Sequence, residues 1–523
     1  MDAAPPPSAL PPGWRLVADV RTRVHRGGLA TGGSPWGVVK LGPVAARLLH
    51  RSLRAGPAGA VAADAAERAA ADRLLDRGLV HPVVPRRTSG RRRAACVVVP
   101  AYGRADLLDR CLASLALDGP DDPAVPGCPD HGAGSCGRLD VLVVDDASPT
   151  DEVSQVAAAR GTRWVRHAHN RGPGAARNTG RDATQAPVLA FLDADCVVTP
   201  GWLDALLPLF DDPRVGAVAP RVIPRPIADD RLLTRYEHTR SALDMGPHPA
   251  LVRPGAALAF LPSACLLVRR EALAGHGFDE ALRLGEDVDL VWRLAAAGWH
   301  VRYEPAVTVE HELRPTWHGW AARRFDYGTS AAELDRRHPG RLAPARVSAW
   351  NLAALAALAA ARPLTAAVTT GAASALLARH LRRTGVRPGL ALRIAGQGVA
   401  ADAATIARLL RREWWPLGLA ALVAVGRGRP GRAARWAAAG VLGVTWLEWC
   451  RTRPDVDLAT YTLVRLADDA SYGSGVIAGA VRGRRPQVLL PRVRLPWVGR
   501  TAHLPARPDA AARPDPPARG ACG

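Results

Sequence analysis

Three short apolar runs in this chain each end abruptly in polar side chains: VVVPAYGR at 97–104, LVVDDASPT at 142–150 and FLDADC at 191–196. Helical patterns lie between them, ADLLDRCLASLAL at 105–117 and the glycine-rich HNRGPGAARNTG entering a helix at 169–180. Strands of unbroken Val and Leu need apolar cover on both faces, which confines this part of the chain to an α/β layer fold with a mostly parallel sheet. In such sheets ligands bind beyond the carboxyl ends of the strands, so the residues that stop the runs are the first candidates for chemistry.

With 523 residues the chain exceeds one typical domain, and changes of pattern divide it. Residues 10–85 open with the extended RLVADVRTRVHRGGLATGG. VVKLGPVAARLLHRSL and AADAAERAAADRLLDRGLV then predict two helices before a short Val-rich strand. This suits a small winged-helix-like module, either for peptide recognition or as a structural cap. TSGRRR at 88–93 reads as a linker and 94–337 as the α/β domain, with 119–138 looping out. Residues 345–480 hold Ala/Leu-rich stretches at or below the lower edge of a membrane span, and both buried hairpins and a membrane-associated bundle fit. Trp350, Trp414, Trp415, Trp446 and Trp449 lie near the ends of these stretches, and GRGRPGRAAR would suit a cytoplasmic loop. The Pro/Arg-rich tail, 484–523, is expected to be disordered.

The formal charge of +21 is carried almost wholly by arginine, Lys40 being the only lysine. It goes with heavy Ala, Gly and Pro use along the whole chain, so it reads as a compositional bias, and no nucleic-acid partner is expected. The eight cysteines show no repeated pair spacing. Cys128 and Cys136 flank His131 without a second close pair, so reduced, unligated thiols are expected. No basic stretch followed by an apolar core opens the chain, and the expected location is the cytoplasm or the cytoplasmic face of the membrane.

Four places supply candidate binding groups in order: Pro100, Tyr102 and Arg104; Asp145 and Asp146; Gly172, Gly174, Arg177 and Asn178; Asp193 and Asp195. Carboxylates close in sequence can hold a hard divalent cation, and the cation can bridge to a diphosphate. An arginine and helix-start amides would serve the same anion. A fifth piece, GEDVDLVWRL, places Glu286, Asp287 and Asp289 at the start of an amphipathic helix. Two roles stay open there, complementing the helix dipole and acting as general base toward a hydroxyl. His311 follows the strand VTVE and could add a metal ligand.

Taken together, VVVPAY, VVDDASPTD, NRGPGAARNTG, FLDADC and GEDVDLVWRL resemble the ordered motifs of family 2 glycosyltransferases, over about residues 94–315. The resemblance implies a GT-A fold and an inverting transferase. It implies Asp146, with Asp145, in the nucleotide pocket, and Asp193 and Asp195 as the pair for ribose and Mn2+ or Mg2+. Asp287 becomes the acceptor base, Glu286 its neighbour, and His311 a third metal ligand. The N-terminal LPPGWRLVADVRTRVHRGG and WGVVKLGP, joined to this domain and an apolar C-terminal region, are similar to the glycosyltransferase family of mycofactocin systems. That implies a UDP-sugar donor, most simply UDP-glucose, and a peptide-derived mycofactocin precursor as acceptor. WAARRFDYG stands where processive synthases carry QxxRW, which argues against a pore-coupled role. A cell-envelope lipid or glycan as acceptor, and a non-catalytic peptide-binding scaffold, are the rival readings.

Overall fold

The computed structural model describes residues 10–494 apart from 12, 86–94, 117–138, 227–229, 276, 315, 381–385 and 427–430. The expected linker, the looped insertion with Cys128, His131 and Cys136, and the tail beyond 494 lie outside the described residues.

The N-terminal module runs β1 (Arg15–Ala18), β2 (Arg23–His25), β3 (Leu29–Gly32), β4 (Gly37–Lys40), α1 (Pro43–Ala55), β5 (Ala60–Val61), α2 (Ala65–Asp76) and β6 (Val80–Val83). Two three-stranded sheets form, ordered β5-β1-β6 and β2-β3-β4. VVK belongs to β4 and not to the first helix, because Gly42 and Pro43 start the helix there, with proline at its first turn. Leu48, Leu49, Leu74 and Leu75 from the two helices bury against Trp14 and Leu16. Asp72 and Asp76 of α2 take the Arg214 guanidinium of the next domain at 3.1 and 2.9 Å, tying the module to it.

The α/β domain continues with β7 (Ala95–Ala101), α3 (Ala105–Ala116), β8 (Asp140–Asp145), α4 (Glu152–Ala159), β9 (Arg163–Arg166), α5 (Pro173–Asp182), β10 (Val188–Leu192), β11 (Cys196–Val198), α6 (Trp202–Leu206), β12 (Val215–Pro224), α7 (Leu232–Arg240), β13 (Ala250–Val252), β14 (Cys265–Arg269), α8 (Glu286–Ala296), β15 (His300–His311), α9 (Trp317–Thr329) and α10 (Ala331–Arg337). Its nine-stranded sheet is ordered β11-β15-β12-β14-β10-β7-β8-β9, with β13 also on β15. Strands β10, β7, β8 and β9 are parallel. The other half mixes directions, since β14 runs antiparallel to β10 and β12 while β12 and β15 are parallel. The expectation of a mostly parallel sheet therefore describes the half built from the three apolar runs. Apolar clusters cover both faces, one with Val97, Val99 and Leu192, the other with Val98, Phe191 and Leu266.

The C-terminal region comprises β16 (Arg346–Ser348), α11 (Ala349–Ala359), α12 (Pro363–His380), α13 (Pro388–Arg411), α14 (Trp415–Gly426), α15 (Arg432–Thr452), α16 (Leu458–Arg482) and β17 (Arg492–Arg494). The tail starts later than expected: β17 pairs in parallel with β16, so residues up to 494 belong to the fold. No helix among the described residues is long and apolar enough to cross a membrane. Two of the terminal tryptophans are anchored inside the protein, Trp414 Nε1 donating to Leu489 O at 2.8 Å and Trp449 Nε1 to Val456 O at 2.9 Å.

Helix α16 lies directly on α9. A methyl group on Gly475 would run into the Phe325 carbonyl, and one on Gly328 into the Tyr472 carbonyl, so the two backbones touch where both helices have glycine. Buried ion pairs fix the same crossing: Arg324 of α9 binds Asp468 at 2.7 Å and Glu237 of α7 at 2.6 Å. Further in, Arg411 binds Asp469 at 2.6 Å and Glu448 at 2.9 Å. Such charges are retained in a low-dielectric interior only when fully paired.

Candidate active site

A cavity of about 1300 Å³ opens beyond the carboxyl ends of β7, β8 and β10. Pro100, Tyr102 and Arg104 line one edge, with Tyr102 more than half exposed. Asp146, Gly172, Arg177, Asp193, Asp195, Glu286, Asp287 and His311 line the rest of that end, so most of the sequence-derived candidates meet in one place.

Adjacent aspartates at the end of β8 do different work. Asp145 is fully buried, and its Oδ1 accepts hydrogen bonds from the Ser148 amide at 2.9 Å and hydroxyl at 2.5 Å, holding the turn that follows the strand. It is not among the cavity-lining residues. Asp146 does line the cavity, and its carboxylate accepts from the Arg171 amide at 2.8 Å, the Gly172 amide at 2.7 Å and His167 Nδ1 at 2.7 Å. It shapes the glycine-rich loop by gripping its amides.

The start of α5 divides in the same way. Arg177 projects to the cavity, buried, with Nη2 donating to Asp193 at 2.6 Å and Nη1 to Glu286 at 2.9 Å. Asn178, a hundred degrees further round the helix, turns away and clamps residue 278 through its main chain, donating to Phe278 O at 2.8 Å and accepting from Phe278 N at 2.8 Å. Gly174 packs against the Asp279 carbonyl, where a methyl group would sit at 3.2 Å. Neither is among the cavity-lining residues, and both pack against the segment at 278–279. Asp289 likewise turns from the cavity, held by His338 at 2.8 Å and Arg293 at 2.8 Å.

FLDADC forms a tight turn between β10 and β11, closed by the Cys196 amide on Asp193 O at 3.0 Å. The two carboxylates then face different partners, Asp193 the Arg177 guanidinium and Asp195 the His311 imidazole at 3.3 Å. Burial pushes the Asp193 carboxyl above its usual range, and the neighbouring Asp195 adds to this against the pull of Arg177. For Asp195 burial also raises, but His311 outweighs it and the carboxyl lies below its usual range. His311 is held above its ordinary value because Asp195 overcomes the effect of burial. Among the described residues no three His, Cys, Asp or Glu side chains gather at metal-ligand geometry. Of the three expected ligands, Asp195 and His311 face one another, and Asp193 is ion-paired with Arg177.

Asp287 stands across the cavity in the first turn of α8, which Gly285 starts with a left-handed backbone. Its Oδ2 accepts from the Ser263 amide at 3.2 Å and its Oδ1 from the Val288 amide at 2.7 Å. Burial, then repulsion by Glu286, pushes its carboxyl up to about 7. A carboxyl so tuned can take a proton from a hydroxyl near neutral pH. Residues 240–245, 257–260 and Pro262 also contribute to the cavity wall.

Sequence reasoning did not find the opposite wall, formed by Tyr327 of α9, Arg412, and Arg465, Asp468, Asp469 and Tyr472 of α16. A signal was present: 465, 468, 469 and 472 follow the i, i+3, i+4, i+7 spacing of one helical face, polar in an otherwise apolar helix. The Ser263 amide, which has no side-chain signature, was also beyond reach.

The "Glycosyl transferase family 2" model matches residues 96–277, and that of "Glycosyl transferase family group 2" matches 188–420. The chain is 36% identical over 502 residues to the pre-mycofactocin glycosyltransferase of Mycobacterium tuberculosis, covering 93% of this chain and 99% of that one. It is 33% identical over 220 residues to the succinoglycan biosynthesis protein ExoU of Rhizobium meliloti, 39% of this chain and 57% of the other. A solved mannosyltransferase from Pyrobaculum calidifontis, in complex with GDP-Man and Mn2+, is 19% identical, with TM-score 0.39 over 75% of this chain and 87% of that one. This chain is a family 2 glycosyltransferase and belongs to the family of pre-mycofactocin glycosyltransferases.

Proposed function

We propose that the enzyme inverts configuration while moving a hexose, most simply glucose from UDP-glucose, to a hydroxyl of a mycofactocin precursor or of the sugar chain growing on it. The observation that supports this best is that one cavity is lined by Asp287 and by Asp193, Asp195 and His311. The precursor as acceptor is suggested by the name of the relative that matches the whole length of the chain.

In this reading the Asp287 carboxylate accepts the proton of the acceptor hydroxyl. The hydroxyl oxygen forms a bond to the anomeric carbon, on the face opposite the bond to the diphosphate oxygen, which breaks and leaves its electron pair on UDP. Tyr102 and the Asp146-gripped loop border the nucleotide. Arg177 keeps Asp193 and Glu286 oriented and sets the charge balance between the two walls. Asp195 and His311 would hold a divalent cation; one carboxylate oxygen and one imidazole nitrogen suit Mn2+, and Mg2+ if phosphate and water oxygens complete its shell. When bound, that ion offsets the charge developing on the leaving diphosphate.

Incubation of the purified protein with UDP-glucose, Mn2+ or Mg2+ and the precursor should add the mass of a hexose. An unchanged acceptor mass across UDP- and GDP-linked hexoses sinks the assignment, and transfer to an envelope lipid instead would favour the rival acceptor.

A peripheral position on a lipid surface is a second part of this reading. Leu364, Val368, Leu417, Trp436, Trp446 and Leu463 of the C-terminal helices are exposed, an apolar surface unusual in a water-facing bundle. Cosedimentation with anionic vesicles tests it, and full recovery in the supernatant rejects it.

A further inference from the structure

In the N-terminal module β4 is an edge strand of the sheet β2-β3-β4, and no further strand pairs with it among the described residues. The ladder fixes what that edge offers. Leu41 N donates to Gly28 O at 2.8 Å, and with Leu29 opposite Lys40 the hydrogen-bonded pairs are 28/41, 30/39 and 32/37. Val38 and Lys40 therefore point their N–H and C=O groups away from β3, and among the described residues nothing bonds to these four groups. The side chains of the strand are covered on both faces: Val39 enters the core of the module, and Val38 packs with Leu29 against Leu377 of α12 and Leu390 of α13. Trp36, just before the strand, is 52% exposed.

An open edge of this kind is a template for another extended chain. Charge selects which chain. Between residues 10 and 85 stand ten arginines and Lys40 against five carboxylates. All five are engaged: Asp19 by His81 at 3.0 Å, Asp64 as the cap of α2, Glu67 by Arg51 at 2.7 Å, and Asp72 and Asp76 by Arg214. Lys40 on the edge strand and Arg26, Arg47 and Arg54 are exposed, and none of them makes an ion pair among the described residues. The chain-wide bias toward arginine accounts for the number of cations but not for the commitment of every carboxylate. The free charge of the module is thus of one sign, which suits a peptide with acidic side chains and repels a basic one. The position agrees. The loop that carries Trp36 is fastened to the catalytic domain, Ser34 Oγ donating to Leu251 O of β13 at 2.6 Å, and β13 leads into residues 257–260 of the cavity wall.

We propose that β4 binds an extended acidic peptide segment as a fourth strand, with Trp36 at one end and Lys40 at the other, so that the N-terminal module holds the peptide part of a substrate. That role in substrate binding rests on the peptide-derived acceptor of the reading above. The test follows, by fluorescence anisotropy, the binding of a short labelled synthetic peptide alternating Glu and Val to the full-length protein. It should bind, and the same peptide with Lys in place of Glu should bind at least about tenfold more weakly. Val38→Pro removes one outward N–H and leaves the ladder to β3 intact. That variant and Trp36→Ala should each weaken binding about three- to tenfold. UDP affinity should be unchanged in both, which also reports that they fold. A wild-type protein that binds UDP but not the peptide overturns the docking edge, as do equal binding of the Lys peptide and undiminished binding in both variants. A dimer in sedimentation that Val38→Pro dissociates places a second copy on the edge and overturns the proposal too. Peptide binding that Val38→Pro weakens supports the edge even where no hexose is transferred, in which case the transfer reading alone falls.

Discussion

The two walls of the cavity are built on different principles. One wall is made of strand ends and the first turn of α5, where turns that follow the motifs hold key groups, as the amides of 171 and 172 hold Asp146. The facing wall is made of helices whose cavity residues are placed by partners far away in the chain, as Asp468 is by Arg324, 144 residues earlier. Local chemistry can be read from a motif, whereas the second wall exists only once α16 has docked. The first should therefore yield to single substitutions as lost catalysis, and the second as lost stability together with altered acceptor use.

The largest effect expected is at the start of α8. Asp287→Asn removes the proton acceptor and should lower kcat by about 100- to 10,000-fold while UDP affinity is retained; an active variant would remove Asp287 from the base role. The same group sets a pH dependence. With its carboxyl raised to about 7, activity should rise as pH increases through about 7 and then level off. The sign for stability is opposite, because a carboxyl whose folded pKa is raised contributes stability that is complete below the ordinary carboxylate range and lost as pH rises toward about 7. A kcat profile flat from pH 6 to about 8 would break this assignment.

On the second wall, Asp469→Asn removes the carboxylate shared by the buried Arg411 and Arg465, which keep only Glu448 and Asp468, and should cost about 1–3 kcal/mol, read as a fall in the denaturant midpoint. Gly475→Ala should cost about 1–3 kcal/mol, because the methyl group meets the Phe325 carbonyl and the two helices must part. If Gly475→Ala proves as stable as wild type, the close crossing of α9 and α16 is not what holds that wall. The smallest effect belongs to the exposed surface: Trp446→Ser should change stability by no more than about 0.5 kcal/mol, yet reduce vesicle cosedimentation if that surface meets lipid.

The legible part of the site followed strand geometry, and so did its errors. Successive side chains in a strand point to opposite faces, so only one of Asp145 and Asp146 could reach the cavity, and sequence alone does not say which. A rotation of about 100° around α5 decided between Arg177 and Asn178 in the same manner. The surroundings of Asp193 were hidden for a longer-range reason: the arginine bound to it comes from α5, and that arginine's second partner, Glu286, lies more than a hundred residues on. In the C-terminal region apolar composition masked a polar helical face, because the stretches were weighed by mean character and not by which side each residue takes.

The glycine contact between α9 and α16 bears on how this protein can be handled. Sequence pattern suggests a cut after residue 337, releasing an α/β unit. Such a fragment would end with α9 bared along the groove that α16 fills, with Arg324 and Glu237 stripped of Asp468, and with half of its cavity open to water. The visible boundary in composition divides two kinds of architecture but passes through one working part.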